Sequence, residues 1–197
     1  FSECVALESV TLPGSLVYIG PNAFYGLKFL DMDGKAMDQS LKLRGHSYFG
    51  SGKVLRMAGG ISDGDEFSVD GIRYAMSSVE GRTVAAIGYG EGASHLPSSV
   101  VYNGWRLSVE SVGDSALLSC QTLASVDLVN VKSLGFKALG RCTGITDITF
   151  GEGLESIGSY ALYGLSFYDG DEKIPATPQA LRGHSFSGTD GRLYLVS

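Results

Sequence analysis

A motif of about 22 residues recurs along this chain, and its period constrains the fold more than any other feature. Ile145–Leu165 is ITDITFGEGLESIGSYALYGL, and Leu123–Gly144 aligns with it when one gap is allowed. The apolar residues that precede glycine at Val112, Leu134 and Ile157 lie 22 and 23 residues apart. A regular period of this length predicts a solenoid, in which each repeat buries its apolar face against its neighbours.

A further complete repeat lies near the start of the sequence, at Leu7–Leu27. Its spaced Leu7, Val10 and Leu12 favour a short strand, and Pro13-Gly14 predicts the turn that follows. The residues before it match only the tail of a repeat, so we interpret the chain as a fragment of a longer protein. The unpartnered repeat edge at Phe1 could then support self-association.

Composition and charge exclude several classes of protein. The 197 residues, 44% hydrophobic and 18% charged, are typical of one sizeable folded domain or two small ones. A net charge of −6 without a basic cluster argues against nucleic acid as a partner. No run approaches the roughly 18 apolar residues that a membrane span requires, so no membrane insertion is expected in this chain.

The three cysteines are predicted to be packing residues. Cys120 and Cys142 lie 22 residues apart at the same position of the repeat, and Cys4 fits that position too. An odd number of cysteines does not make a disulfide framework, and a stacked position of this kind suits small buried thiols. Neither redox chemistry nor a metal is indicated, and no cofactor is predicted.

A second kind of duplication follows the repeats. Residues 28–57 match Ser166–Val196 at an offset of 138, with one inserted residue expected near Asp190, and both copies contain Arg-Gly-His-Ser. Because each copy directly follows a repeat that ends Tyr-Gly-Leu, we interpret both as caps that cover the open edge of the last repeat. Each cap is predicted to contain a strand, a short helix and a closing hairpin.

The helix of each cap has start and stop signals. In the second copy, Thr177 is expected to cap the helix, Pro178 to occupy its first turn and Gly183 to end it. In the first copy, Asp38 and Gly45 are expected to take the capping and ending roles.

The segment between the two repeat blocks has a different pattern. Asp70-Gly71 and Asn103-Gly104 each separate two alternating runs, which predicts two tight hairpins, and residues 84–89 predict another strand. The sequence therefore predicts an α/β repeat solenoid, rich in β-structure with short helical turns, with an interleaved β-hairpin insertion and cap units. The predicted segments are residues 1–27 (repeats), 28–63 (cap), 64–107 (hairpin insertion), 108–165 (repeats) and 166–197 (second cap).

The repeats resemble a known family. The pattern L-x-S-[VI]-x-[LF]-x-x-x-[VL]-x-x-[IL]-G-x-x-A-[FL]-x-x-[CL], present in Phe1–Leu27 and about Ser108–Leu165, is similar to the BspA-type leucine-rich repeat of cell-surface proteins. The resemblance implies an extracellular or cell-surface adhesin or binding protein, with a host or neighbouring-cell protein or glycan as partner. The resemblance brings no shared catalytic residue, and no enzyme is predicted.

Several residues suggest chemistry but favour a structural role. His46 and His184 recur in the two caps, where Arg and His can satisfy helix-terminal carbonyls, and His95 is expected to be solvated in a loop. The acidic pairs at Asp31/Asp33 and Asp169/Asp171 lack the further oxygen ligands of a calcium loop, which favours tight turns. The glycine-rich stretches at residues 50–53 and 88–92 lack phosphate-loop spacing and predict turns.

Two surfaces are candidates for binding. In a solenoid, the outward positions of the strands present residues on a rigid support. The predicted outward residues are Glu8, Thr11, Ser125, Asp127, Thr146 and Thr149. The second surface is the aromatic group of the hairpin insertion, with Tyr102 and Trp105, although alternating aromatics also form hairpin cores. A structural spacer, and a metal-dependent or enzymatic module built on the two caps, remain the alternatives.

Overall fold

The computed structural model describes residues 1–31, 35–59 and 61–196. The chain divides into two compact units, one made of residues 1–61 with 101–105, the other of residues 62–100 with those from 106 onward. The first unit contains strands β1 (Ser9–Leu12), β2 (Lys28–Leu30), β3 (Ala36–Met37), β4 (His46–Ser51) and β5 (Val54–Met57), with a 3₁₀ turn at Leu41–Leu43.

The first unit is a single five-stranded sheet that joins one repeat to the first cap. The strand order is β1-β4-β5-β2-β3, and the repeat strand β1 pairs antiparallel with the cap strand β4. The core behind the sheet is formed by apolar residues of the repeat and the cap together. They are Leu12, Phe24, Leu27, Phe29, Leu43, Tyr48 and Leu55.

The second unit contains the remaining strands and one short helix. The strands are β6 (Glu66–Val69), β7 (Ile72–Ser78), β8 (Thr83–Tyr89), β9 (His95–Leu96), β10 (Ser99–Tyr102), β11 (Trp105–Val112), β12 (Ser125–Leu128), β13 (Ser133–Leu134), β14 (Asp147–Phe150), β15 (Ser156–Ile157), β16 (Ser166–Asp169), β17 (Glu172–Ile174), β18 (Ser185–Thr189) and β19 (Arg192–Leu195), with helix α1 at Pro178–Leu181. Strand β10 ends in the first unit and strand β11 begins in it, because residues 101–105 belong to the first unit.

The coils of the second unit stack as parallel strands, which confirms the repeat solenoid. Strands β9, β12 and β14 pair in parallel with Ser125 opposite His95 and Asp147, and they form the sheet that we call the long-strand sheet. The short strands β13 and β15 pair in parallel on another side of the coil and continue to β11 and β8. Each coil thus contributes one strand to each sheet.

The segment predicted as a hairpin insertion is joined to these same sheets. The hairpin β6–β7 turns at Asp70-Gly71, as predicted, and β8 covers the predicted strand at 84–89. Strand β8 pairs in parallel with β11, and β11 runs across the predicted boundary at residue 107. The five-segment division of the chain stays a prediction.

A third row of hydrogen bonds joins the turns that follow the short strands. The amides of Lys137, Leu139 and Arg141 donate to carbonyls of the next coil at 3.0, 2.8 and 2.5 Å. Lys137 and Arg141 have φ of 54° and 60°, and the same two positions recur one repeat earlier at Ser115 and Ser119. The left-handed conformation recurs at these positions because each coil repeats the same turn. That turn places the amides opposite the carbonyls of the next coil.

The predicted cysteine packing is confirmed for two of the three thiols. Cys120 and Cys142 are buried, and the Cys142 thiol donates to the Leu117 carbonyl at 2.8 Å. Burial raises the pKa of Cys142 to about 11. Cys4 is exposed, so the prediction of a buried thiol is wrong there. The thiols of Cys120 and Cys142 contact the carbonyls of Ala93 and Leu117 in the preceding coil.

The two caps have the same topology and extend the sheet of the last repeat. In the second copy, β18 pairs antiparallel with β14, β19 follows β18 in a hairpin, and β16 pairs in parallel with β19. The predicted first strand is instead a hairpin, β16–β17, in which Asp169 lies opposite Glu172. The cap is therefore two hairpins linked by a short helix, and each cap gives the repeat sheet an antiparallel edge.

The expected insertion near Asp190 is absent. Tyr48 pairs with Met57 in the first cap and Phe186 with Leu195 in the second, so the offset of 138 holds throughout both hairpins. The turns are equivalent because their two residues have positive φ in each copy, although glycine comes first in one turn and second in the other.

The helix signals of the caps are partly confirmed. Pro178 occupies the first turn of α1, and Thr177 precedes the helix without a side-chain capping bond. Gly183 and Gly45 follow their helices with φ of 69° and 75°. The first copy is a 3₁₀ turn whose capping side chain is Ser40, not Asp38, because the helix begins later than the sequence suggests.

Candidate binding surface

The long-strand sheet has a buried face and an outward face, set by the alternation of its strands. In β12 and β14, Val126, Leu128, Ile148 and Phe150 point into the core and are buried. The intervening residues point outward and are polar. Those of the repeat strands are His95, Ser125, Asp127, Asp147 and Thr149, and we call this set the outward repeat face.

Two of the six predicted outward residues, one in each unit, do not occupy an outward position of their strand. Thr146 and Glu8 each precede their strand by one residue, and Asp147 and Ser9 take the outward positions instead. The Thr146 hydroxyl oxygen lies 3.0 Å from the Ala124 carbonyl oxygen and 2.8 Å from an Asp147 carboxylate oxygen, so its one proton is shared between these two acceptors. The Thr146 side chain therefore links the start of β14 to the start of β12, at the edge of the outward repeat face.

The remaining predicted residues of the repeats have the expected orientation. Ser125, Asp127 and Thr149 lie on the outward face of the second unit, half-buried by their neighbours, and Thr11 is exposed on β1 of the first unit. Thr149 shares a hydrogen bond of 2.9 Å with the hydroxyl of Ser185, and Thr11 shares one of the same length with Ser47. The duplicated cap thus reproduces the same side-chain contact in both units.

His95 belongs to the outward repeat face: it is exposed, as predicted, but it lies in strand β9 and not in a loop. Its ring nitrogen Nδ1 lies 2.6 Å from the Ser125 hydroxyl oxygen across the β9–β12 pair. The sequence signal was weak because β9 has only two residues. The Asp127 carboxylate is also held in position, because it accepts a hydrogen bond from the Val129 amide at 3.1 Å. These bonds hold the polar side chains in defined positions.

The outward face continues from the repeats onto the second cap. Following the register across the strands, Asp147 lies opposite Ser187, which lies opposite Tyr194, which lies opposite Tyr168. The Tyr168 and Tyr194 rings are stacked, with centroids 5.4 Å apart and an angle of 29°. Sequence reasoning missed this pair, although each tyrosine follows a buried apolar residue, which is the alternation of an exposed strand face.

Tyr102 and Trp105 lie in the first unit and are half-buried. The Trp105 indole N–H donates to the Gly59 carbonyl at 3.0 Å, and its ring lies 5.3 Å from the Phe49 ring. Trp105 therefore contacts residues outside the β10–β11 hairpin, and a binding role for Tyr102 and Trp105 stays a prediction. Tyr74, another aromatic of residues 64–107, lies in the second unit, where it is buried and its ring is stacked on that of Phe67.

The two histidines of the caps lie at the surface. His46 and His184 are exposed, with rings 6.5 and 6.3 Å from the aromatic residue two positions later. The guanidinium that satisfies a carbonyl is Arg182, which donates to Leu154 of the preceding coil. Asp31 accepts from the Lys35 amide in a turn, and Asp33 lies outside the described residues. In the described ranges, no three His, Cys, Asp or Glu residues are placed to hold a metal ion.

One cavity of about 460 Å³ lies beside β9 in the second unit. Its wall includes Asp70, Tyr74, Glu91, Ser94, His95 and Pro97. Burial, and then the negative charge of Asp70, raise the pKa of Tyr74, so this hydroxyl stays protonated at neutral pH. The hydroxyl is buried and has no hydrogen-bond partner among the described residues.

Loss of the hydroxyl group is expected to change the free energy of unfolding in opposite directions at the two buried tyrosines, Tyr48 and Tyr74. The Tyr48 hydroxyl donates to the Leu43 carbonyl at 3.2 Å, so Tyr48→Phe should lower the free energy of unfolding by about 0.5–1.5 kcal/mol. Tyr74→Phe removes an unpaired buried hydroxyl and should leave that free energy unchanged or raise it, by up to about 1–3 kcal/mol. Urea denaturation of both variants measures the difference. A loss in Tyr74→Phe equal to that in Tyr48→Phe would show that the Tyr74 hydroxyl has a partner.

Comparisons with known proteins were made for sequence and for structure. The BspA type leucine rich repeat region matches residues 1–51 and 103–191 in six copies. No curated protein matches the sequence. No helix in the described part of the chain is both long and apolar enough to cross a membrane.

Solved structures with similar coils are crystal structures of bacterial repeat proteins. A leucine-rich repeat protein from Bacteroides ovatus is 24% identical, with a TM-score of 0.42, over 49% of this chain and 26% of that one. A leucine rich cell surface protein from Faecalibacterium prausnitzii is 20% identical, with a TM-score of 0.38, over 50% of this chain and 27% of that one. The leucine rich repeat protein of T. pallidum is 25% identical, with a TM-score of 0.40, over 50% of this chain and 45% of that one.

The present chain spans about a quarter of the length of the Bacteroides ovatus protein. The six matched repeat copies cover most of its own length, including Leu7–Leu27 and the parallel coils of the second unit. Together, the period, the parallel ladders and the family match identify the repeats. The chain belongs to the BspA-type leucine-rich repeat family.

Proposed function

We propose that this chain is a non-catalytic binding module of an extracellular or cell-surface protein, which recognises a protein or a glycan through the outward repeat face. The observation that carries the proposal is the fixed row of polar side chains from His95 through Ser125 to Asp147 on rigid parallel strands. The membership in a family of surface repeat proteins supports the location and the lack of catalysis.

The physical argument concerns how this face is supported. Buried leucine, isoleucine and phenylalanine side chains fix the strands from behind, so the outward side chains lose little freedom when a partner binds. The short hydroxyl and carboxylate groups offer hydrogen bonds to a protein backbone or to sugar hydroxyls. Such a face needs no deep pocket, because recognition is spread over several strands.

The test is binding of the purified chain to an array of host matrix proteins and glycans. The variant Asp127→Ala/Asp147→Ala/Thr149→Ala removes polar groups from the outward repeat face without touching the core. The control Glu80→Ala/Glu155→Ala/Ser159→Ala removes the same numbers of carboxylates and hydroxyls from exposed positions elsewhere. We expect saturable binding that falls at least about tenfold in the first variant and is unchanged in the control.

Two other functions predict different results. A structural spacer would bind nothing on the array, and the first variant would then match the unchanged protein in every assay. A metal-dependent module using the caps would retain metal in a purified sample, which elemental analysis detects. Equal binding by the outward-face variant and the control would contradict the proposed location of the site. Self-association through the Phe1 edge, where Phe1 is 63% exposed, stays a prediction.

A further inference from the structure

We propose that the outward face of the second cap binds an acidic glycan, with sugar rings packed on Tyr168 and Tyr194 and the acidic group held by Arg192 and Lys173. This inference rests on the proposed function and names the class of ligand for one part of the surface. The four side chains, which we call the cap patch, lie on neighbouring strands of the same sheet.

The two tyrosines form an aromatic platform of two stacked rings at the surface. Tyr194 is 42% exposed, and Tyr168 is half-buried beside it, with the two rings stacked at 5.4 Å. The buried residues of these strands, Phe167 and Leu193, point to the opposite face. An aromatic face offers a large apolar contact at low entropic cost, while the hydroxyl can bond to a polar ligand. The C–H face of a sugar ring has the shape that fits such a platform.

Two cations lie beside the platform, both next to Tyr168. The Arg192 guanidinium carbon lies 5.1 Å from the Tyr168 ring centroid, and Lys173 is the register partner of Tyr168 on the next strand. In the part of the chain that the structure describes, neither cation forms an ion pair with a carboxylate. Both charges are therefore available to a ligand.

The charge of the cap patch is opposite to that of the chain as a whole. The other outward positions of these four cap strands are hydroxyl side chains, namely Ser166, Ser185, Ser187 and Thr189. The chain carries a net charge of −6, and the exposed carboxylates of this hairpin, on Asp169, Asp171 and Glu172, lie at the β16–β17 turn and not at the outward strand positions. Such a patch attracts an anionic ligand and repels a cationic one.

The first cap shows that the fold does not require these residues. At the offset of 138, the positions of Tyr168, Arg192 and Tyr194 are occupied by Leu30, Val54 and Arg56. The first cap nevertheless forms the same strand pairs in the same register. The aromatic platform is thus a property of the second cap alone, which favours a role in binding over a role in folding.

The duplication supplies a variant that should fold. Tyr168→Leu/Arg192→Val/Tyr194→Arg places the residues of the first cap at the three positions of the second. Binding of the full chain to a chondroitin sulfate tetrasaccharide is measured by calorimetry, with the neutral sugar chitotetraose as the comparison ligand. We expect binding of the acidic sugar at least about tenfold tighter than of the neutral one, and a loss of at least about tenfold in the variant.

Further variants separate stacking from general charge attraction. Tyr168→Phe keeps the aromatic face and should keep the affinity within about threefold, whereas Tyr168→Leu should lose at least about fivefold. Equal affinity in Tyr168→Leu and the unchanged protein, or equal binding of the neutral sugar, would overturn the proposal. Thermal unfolding of each variant confirms that a loss of binding is not a loss of fold.

The failure of this proposal is distinguishable from the failure of the proposed function. If the array yields a ligand whose binding is lost in the Asp127→Ala/Asp147→Ala/Thr149→Ala variant but not in the cap variant, the repeat face binds and the cap patch does not. If the cap variant alone loses the acidic sugar, the cap patch is the site and the outward repeat face is not.

Discussion

Replacing Phe167 by alanine is expected to lower the free energy of unfolding by about 3–5 kcal/mol. The Phe167 ring is fully buried and lies 5.6 Å from the Phe150 ring and 5.0 Å from the Phe186 ring. These three rings come from the last repeat strand and from both hairpins of the second cap. The cavity left by the truncation would therefore separate all three parts. Urea denaturation followed by circular dichroism measures the change.

The control for this variant is the next residue in the chain. Tyr168 points to the outward face, so Tyr168→Ala should change the free energy of unfolding by less than about 1 kcal/mol. Nearly equal losses in the two variants would contradict the assignment of inward and outward faces in β16. A small loss in Phe167→Ala alone would show that the cap does not share a core with the last repeat.

Replacing Gly151 by alanine is the second change with a large expected effect. A Cβ atom at this position would overlap the carbonyl oxygen of Val129 in the preceding coil. Because that atom belongs to the backbone, the two coils would have to move apart, which should cost about 1–3 kcal/mol or more of stability. Thermal unfolding should show a corresponding drop in Tm.

The matched control lies two residues further along the same turn. A Cβ at Gly153 would meet no atom within 4 Å, so Gly153→Ala should leave the stability unchanged or raise it slightly. If Gly151→Ala is as stable as Gly153→Ala, the coils are not as close as the structure places them. A large loss in both would point to a general demand for glycine in the turn, not to contact between coils.

The solenoid could be predicted from the sequence because its cause is local and repeated. Each coil needs apolar residues at fixed steps, as in Val126, Leu128 and Leu134, and a repeated step is visible without any knowledge of distant contacts. The hairpin at Asp70-Gly71 could be predicted for a similar reason, since both residues must take positive φ.

The candidate site was harder to predict, because the direction in which a side chain points depends on the residue at which its strand begins. Thr146 and Asp147 are adjacent polar residues, and only the pairing of Asp147 with Ser125 shows which one points outward. The pairing of β18 with β14 joins residues that are about 38 positions apart, and it places Tyr194 on the same face as Asp147. Contacts of this range leave no periodic signal in the sequence.

The outward repeat face and the outward face of the second cap form one surface only if the second cap continues the long-strand sheet. The junction contains a hydrogen bond from the Phe150 amide to the His184 carbonyl, at 2.9 Å, and one from the Gly188 amide to the Thr146 carbonyl, at 2.8 Å. Hydrogen exchange at these two amides tests the claim most directly. We predict exchange slower than in an unstructured chain by at least about two orders of magnitude, at a rate shared by both amides. Exchange of both at the unstructured rate would contradict it, because the cap would then not be paired with the last repeat.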